Sequence, residues 1–245
     1  MTLLDTYRDK VVDVLDRLVA SQRGALETAQ AWVAETLKQD GLVYVTGSGH
    51  SHMIAEEVFY RAGGIAPLQA ILDPALMLHQ GAHHSTQLER LEGYAAGVLA
   101  AYPMAAKDIL FIASNSGRNA FPVEAALHAK ARGTRTVAIT AMDHAGKVAS
   151  RHSSGQRLHE VADLTIDNAV AQGDASLVLA GLDARMGPVS TIAGAFIMNI
   201  VIAQAVETLT AQGIAVDVYR SANLDNNDAN SGAIVERWRG RIKGL

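Results

Sequence analysis

The chain has no cysteine. Disulfides, thiolate metal sites and cysteine nucleophiles are excluded, and the absence fits a reducing cytoplasm, the expected location. An excess of positive charge is missing too. Lys and Arg number 21 against 25 Asp and Glu, a formal net charge of -4. A nucleic-acid binder relying on bulk charge is normally basic, so no nucleic-acid partner is expected. Any anionic ligand has to be recognised locally. The N-terminus carries Asp5, Arg8, Asp9 and Lys10 and does not read as a secretory leader. Long apolar runs are also scarce. Only 188–206 extends 19 residues without a charge, the length of a membrane span. Ser190, Thr191, Asn199 and Gln204 interrupt it. It reads as a core or subunit-interface helix, with no membrane association.

What is present is a folding composition: 49% hydrophobic and 19% charged residues. A chain of 245 residues holds one large or two small domains and can bury a substantial core. Residues 3–38 carry a helical stripe of Leu4, Tyr7, Val11, Leu15 and Leu18. A break near Gln22-Arg23-Gly24 predicts a helix pair, so 1–40 is read as a helical arm. From 42 to 167, short apolar strands alternate with helices. The strands are predicted at 42–46, 67–72, 109–113, 136–140 and 163–166. Helices are predicted at 53–62, 87–101 and 119–133, with a loop at 73–85. This order implies a three-layer α/β sandwich on a parallel sheet. With strand order 2-1-3-4-5, the turns after the first and third strands lie side by side at the switch point, where such sheets bind ligands. The domain is assigned to 41–215. Residues 216–245 form a tail with a terminal helix.

Both of those turns are rich in small polar residues. The first is Gly47-Ser48-Gly49-His50-Ser51; the second is Ser114-Asn115-Ser116-Gly117-Arg118-Asn119. A strand that opens into a Ser/Gly turn and feeds a helix is the outline of a phosphate cradle. Ser114, Ser116 and Asn119 would add neutral donors. An ordinary capped turn is the plainer reading of either one alone. The usual nucleotide motifs do not fit. His52 stands where a dinucleotide pattern wants its third glycine, and no P-loop lysine precedes a Ser or Thr here.

At these residues the sequence resembles a SIS (sugar isomerase) domain, whose motif pairs Gly-x-Gly-x-Ser with Ser-x-Ser-Gly-x-Thr. Asn119 stands where the family usually has Thr. The resemblance covers about residues 40–210. Glu89-Arg90-Leu91-Glu92-Gly93, Ser150-Arg151-His152-Ser153-Ser154-Gly155 and Pro188-Val189-Ser190-Thr191 further resemble a bacterial single-domain group. That group is similar to phosphoheptose isomerase and N-acetylmuramic acid 6-phosphate etherase. The resemblance implies a phosphorylated sugar as ligand, with Ser51, Ser114, Ser116 and Asn119 on the phosphate and Asn115 nearby. It also implies a homodimer or homotetramer with shared sites. In those two related families the acid/base glutamate lies about ten residues past the first-turn serine. Here that position is Arg61, a ligand contact or an ion-pair partner.

Neutral donors suit a phosphate used as a handle, since phosphoryl transfer wants metal and cationic clamps. The expected ligand is an amino-hexose 6-phosphate. The expected reaction is proton abstraction at C2, leading to isomerisation or C2–C3 elimination. Glu89, placed at the start of a helix, is the first candidate base, and Glu57 the second. His50 beside Ser51 is a candidate for ring opening. Ser48, Gly117 and Ser190 complete the candidate contacts. No cofactor or metal is expected, although His79, His83 and His84 cluster in sequence. Asp167 either meets the ligand or caps its own turn. A non-catalytic sugar-phosphate sensor or a regulatory subunit is the alternative.

Overall fold

The computed structural model describes residues 2–221, 223 and 228–245. Most of the polar stretch 223–228 of the tail lies outside the described residues.

Five parallel strands form the sheet in order β2-β1-β3-β4-β5. They are β1 (Val43–Gly47), β2 (Leu68–Ala70), β3 (Ile109–Ala113), β4 (Arg135–Thr140) and β5 (Leu164–Asp167). The predicted order is the observed one. Register aligns the carboxyl ends: Gly47 pairs with Ala113, Ala113 with Ile139, and Thr140 with Asp167. Strand alternation sends successive side chains to opposite layers. Val43, Val45, Ile109, Phe111 and Val137 join one core, and Tyr44, Leu110, Ile112 and Ala138 the other.

The first core is covered by α1 (Leu3–Lys38), α2 (His52–Val58) and α8 (Ser190–Ala211). The second is covered by α4 (Tyr94–Leu99), α5 (Ala120–Lys130) and α7 (Leu158–Val161). Short α3 (Ala82–Leu88) and α6 (Met142–Ala145) sit among the loops, and α9 (Asp228–Trp238) lies near the C-terminus.

The predicted break in α1 does not occur. The helix is continuous for 36 residues, opened by a capping box between Thr2 and Asp5. Gly24 costs only about 1 kcal/mol inside a helix. Burial of Leu18, Leu26, Ala29 and Val33 outweighs it. Leu4 of the predicted stripe is exposed. α8 is the helix long and apolar enough to cross a membrane. Its Ala193, Ile197, Met198, Val201, Ala205 and Leu209 are buried in the first core.

Two further boundaries differ from expectation. α2 stops at Val58 because the chain turns at Tyr60, at φ 43°. Residues 63–66 then bond the distant 217–219 segment, with Gly63 N–H to Tyr219 O at 2.8 Å and Tyr219 N–H to Gly64 O at 2.9 Å. The helix predicted at 87–101 is two helices. Gln87 and Leu88 close α3, which begins inside the predicted loop and carries His83 and His84, and 94–99 form α4. The chain turns at Glu89–Gly93, with Gly93 at φ 85°. Glu89 therefore caps the C-terminus of α3 rather than starting a helix.

Candidate functional site

The two polar turns meet at the carboxyl end of the sheet. Gly49 N–H donates to Leu76 O at 2.7 Å and Ser51 N–H to Ser48 O at 3.1 Å, which folds the first turn tightly over β1. The second turn is pinned by Ser114 N–H to Ile139 O at 2.9 Å, and by Gly117 N–H to Ser114 Oγ at 3.2 Å. Gly117 holds φ +57°, a conformation glycine adopts without strain. The N–H groups of Ser116, Arg118, Asn119 and Ala120 make no hydrogen bond to the described residues. They open the N-terminus of α5, where an anion is favoured.

His50, Ser51, Ser114, Asn115, Ser190 and Thr191 line one small depression that opens to solvent. Ile54, Ala113, Ile139, Asn168 and Gly194 complete it. The Ser51 and Ser114 side chains thus face one space. Sequence reasoning missed Asn168. It is 2% exposed and donates its amide to Asn115 Oδ1 at 2.7 Å, which leaves the Asn115 amide nitrogen free to donate. The address rule that flagged Asp167 applied equally to its neighbour. Asp167 itself accepts the Met142 and Ala169 N–H groups at 3.0 Å, so it caps its own turn.

Glu89 ties the turns together. Its carboxylate accepts Ser48 Oγ–H and the Asn119 amide, each at 2.8 Å. Its carbonyl accepts Phe121 N–H at 3.0 Å, at the start of α5. Arg151 donates to Asn119 Oδ1 at 3.1 Å. Ser48 and Asn119 therefore reach Glu89 rather than the depression, and Ser116 and Gly117 sit between the two groups in sequence.

Glu57 and Arg61 are not among the residues around that depression. They pair with each other, and the Asn199 amide donates to Glu57 at 3.3 Å. Arg61 lines a separate cavity with Val58, Ile65, Asn199 and Val218. His52 points elsewhere too. Burial pushes its pKa down against the pull of Glu56, whose carboxylate lies 3.0 Å from Nδ1, and its Nε2 has no partner.

Ser190 donates its hydroxyl to Asp174, which also accepts the N–H groups of Val189 and Ser190 at 3.1 and 2.9 Å. Asp174 is thus the cap of α8, a residue the sequence reading did not mark. Asp174→Ala is expected to lower stability by about 0.5–2 kcal/mol. An unchanged urea midpoint would remove the capping role.

Among the described residues, one group offers metal-ligand atoms within 4.8 Å of one another: Glu92, Glu124 and His152. Its carboxylates already have partners. Glu124 accepts Gly93 N–H at 2.6 Å, and Glu92 accepts Ser153 N–H and Oγ–H at 2.6 and 2.7 Å. These bonds tie two loops together.

Comparison with known proteins places this geometry. The SIS domain family matches residues 6–141. A UPF0309 protein of Listeria monocytogenes serotype 4b is 38% identical over 240 residues, covering 98% of this chain and 97% of its own. Among solved structures, a phosphoheptose isomerase from Francisella tularensis aligns with a TM-score of 0.52 at 19% identity. The alignment covers 84% of this chain and all of that one. The Vibrio vulnificus NanR protein, solved with ManNAc-6P, aligns with a TM-score of 0.51 at 15% identity, over 98% of this chain and 69% of that one. These last two likenesses speak for the fold.

Proposed function

Because this chain belongs to the SIS domain family, within its UPF0309 group, we propose that it holds a sugar phosphate at the carboxyl end of its sheet and removes the proton at C2. One observation carries the reading. Ser51 and Ser114, from turns after neighbouring strands, line the same depression. The free N–H groups that open α5 belong to the second of those turns. Neutral donors and a helix N-terminus bind a dianion without neutralising it, which suits a phosphate that positions the sugar. An amino-hexose 6-phosphate is the proposed ligand, with the open-chain carbonyl directed toward Glu89.

Glu89 is the proposed base. Two donors fix its carboxylate, so its orientation does not depend on the ligand. The C2–H bond breaks, the proton passes to Glu89, and the electron pair enters the adjoining C1 carbonyl to give an enolate that carries the amino group on C2. A proton gained at C1 and one lost from that nitrogen give the isomeric ketimine; departure of a C3 substituent with its bonding pair gives the elimination product. His50, on the depression wall, is placed to help open the ring.

The test is a panel of sugar phosphates incubated with the protein in deuterated water, read by proton NMR. Loss of the C2 signal for one member supports catalysis. Tight binding without exchange indicates a sensor. Ser51→Ala/Ser114→Ala is expected to weaken binding at least about tenfold, since hydrogen bonds to a charged group carry about 1.5–3 kcal/mol each. Undiminished affinity in calorimetry would discard the cradle.

A further inference from the structure

Arg151 contacts the Glu89–Asn119 pair, and Arg90 and Arg118 flank that pair in the chain. Arg90 adjoins Glu89 in the chain, and Arg118 adjoins Asn119. Arg151 donates to the Asn119 side chain at 3.1 Å, and its own N–H bonds Arg118 O at 2.7 Å. Most other arginines of the described chain have carboxylate partners: Arg8, Arg17, Arg61, Arg135, Arg157, Arg237, Arg239 and Arg241 all do. These three form no salt bridge with the described residues. Arg118 spends only Nε, on Ala149 O at 2.9 Å, and the Arg90 side chain makes no hydrogen bond to the described residues, its backbone N–H alone donating to Gln87 O at 3.2 Å.

Arg151 is exposed, yet local desolvation and the neighbouring Arg118 and Arg90 guanidiniums lower its pKa, with Glu89 acting in the opposite sense. Arg151 thus has two cations and one carboxylate as electrostatic neighbours, and Ser48 and Asn119 already occupy that carboxylate. A protein with net charge -4 has acidic groups to spare, so the local surplus is a feature of this place. Mutual repulsion of guanidiniums is relieved when an anion sits among them, and the planar fork suits carboxylate and phosphate oxygens.

We propose that Arg90, Arg118 and Arg151 form a second anion site. On the sugar-phosphate reading above, which this inference extends, the substrate carries a carboxylate or second phosphate remote from the phosphate held by the serine turns. That makes it a doubly anionic sugar, anchored at both ends with Glu89 between. The two neutral turns select the handle, and the arginines discriminate the substituted sugar from its simple monophosphate.

The experiment is calorimetric titration of the full chain with fructose 6-phosphate, fructose 1,6-bisphosphate and 6-phosphogluconate. At least one of the doubly anionic probes is expected to bind about tenfold or more tighter than the monophosphate. The preference should shrink as salt is raised, because the site is open to screening. Arg90→Gln/Arg118→Gln is expected to reduce the affinities to near equality while keeping the Arg151 bond to Asn119. Arg90→Gln alone breaks no hydrogen bond and should remove part of the preference without loss of fold, checked by melting. Equal affinities in the unmodified protein, or a preference that survives in the double variant, would overturn the second site and leave the serine cradle standing. If none of the three probes binds, the sugar-phosphate reading and this inference fall together.

Discussion

Glu89→Gln is expected to slow deuterium exchange at C2 by about 10²–10⁴-fold, the usual worth of a positioned general base. The substitution keeps side-chain volume. Glutamine Oε1 can still accept the Asn119 amide, and the Ser48 hydroxyl can rotate to accept instead of donate. The turns should stay in place and ligand affinity should change little, so the loss would be chemical. Glu89→Ala is a harsher variant. It leaves Ser48 and Asn119, both largely buried, without their acceptor, and binding should weaken along with exchange. Exchange at the normal rate in Glu89→Gln would move the base elsewhere. Glu57 would inherit the role only by leaving its pair with Arg61.

Gly47→Ala is expected to damage both fold and binding. A Cβ at this position would stand 2.4 Å from Ser51 O and 2.6 Å from Ser51 C. Those are backbone atoms of the turn that lies over the end of β1, and they cannot rotate aside. The turn must shift, which should cost about 1–3 kcal/mol as overpacking. The shift carries Ser51 away from Ser114, and a misplacement near 1 Å can cost roughly 10² in rate. A variant with the parent melting temperature and the parent affinity would show that the Ser51 turn has no fixed role. Gly49, with open space around it, is the control for the contact; its φ of +57° means that it tests backbone strain instead.

The strand–turn–helix units were readable because their signals are local. A five-residue apolar run followed by Ser and Gly specifies β3 and its turn whatever surrounds it, and right-handed crossovers leave few topologies for the parallel sheet. Helix boundaries failed where distant segments compete for the backbone. Nothing near Tyr60 announces that 63–66 will bond 217–219. Nothing in 87–101 announces that the Glu89 carbonyl will receive Phe121 N–H. The break at Gly24 failed for the opposite reason: a local cost was outweighed by burial along the whole of α1.

The sequence by itself determined the layer architecture, the strand order and the meeting of the two serine turns at one end of the sheet. Periodicity, turn chemistry and chain handedness act within a few tens of residues, so they can be read without coordinates. The tertiary structure alone decided how side chains divide between roles. It turned Ser48 and Asn119 onto Glu89, Ser190 onto Asp174 and Asn168 onto Asn115. It also brought Arg151 onto Asn119, the partner of Glu89. Such pairings span many residues of chain and depend on which polar groups burial leaves in need of a partner, and that need arises only once the core has closed.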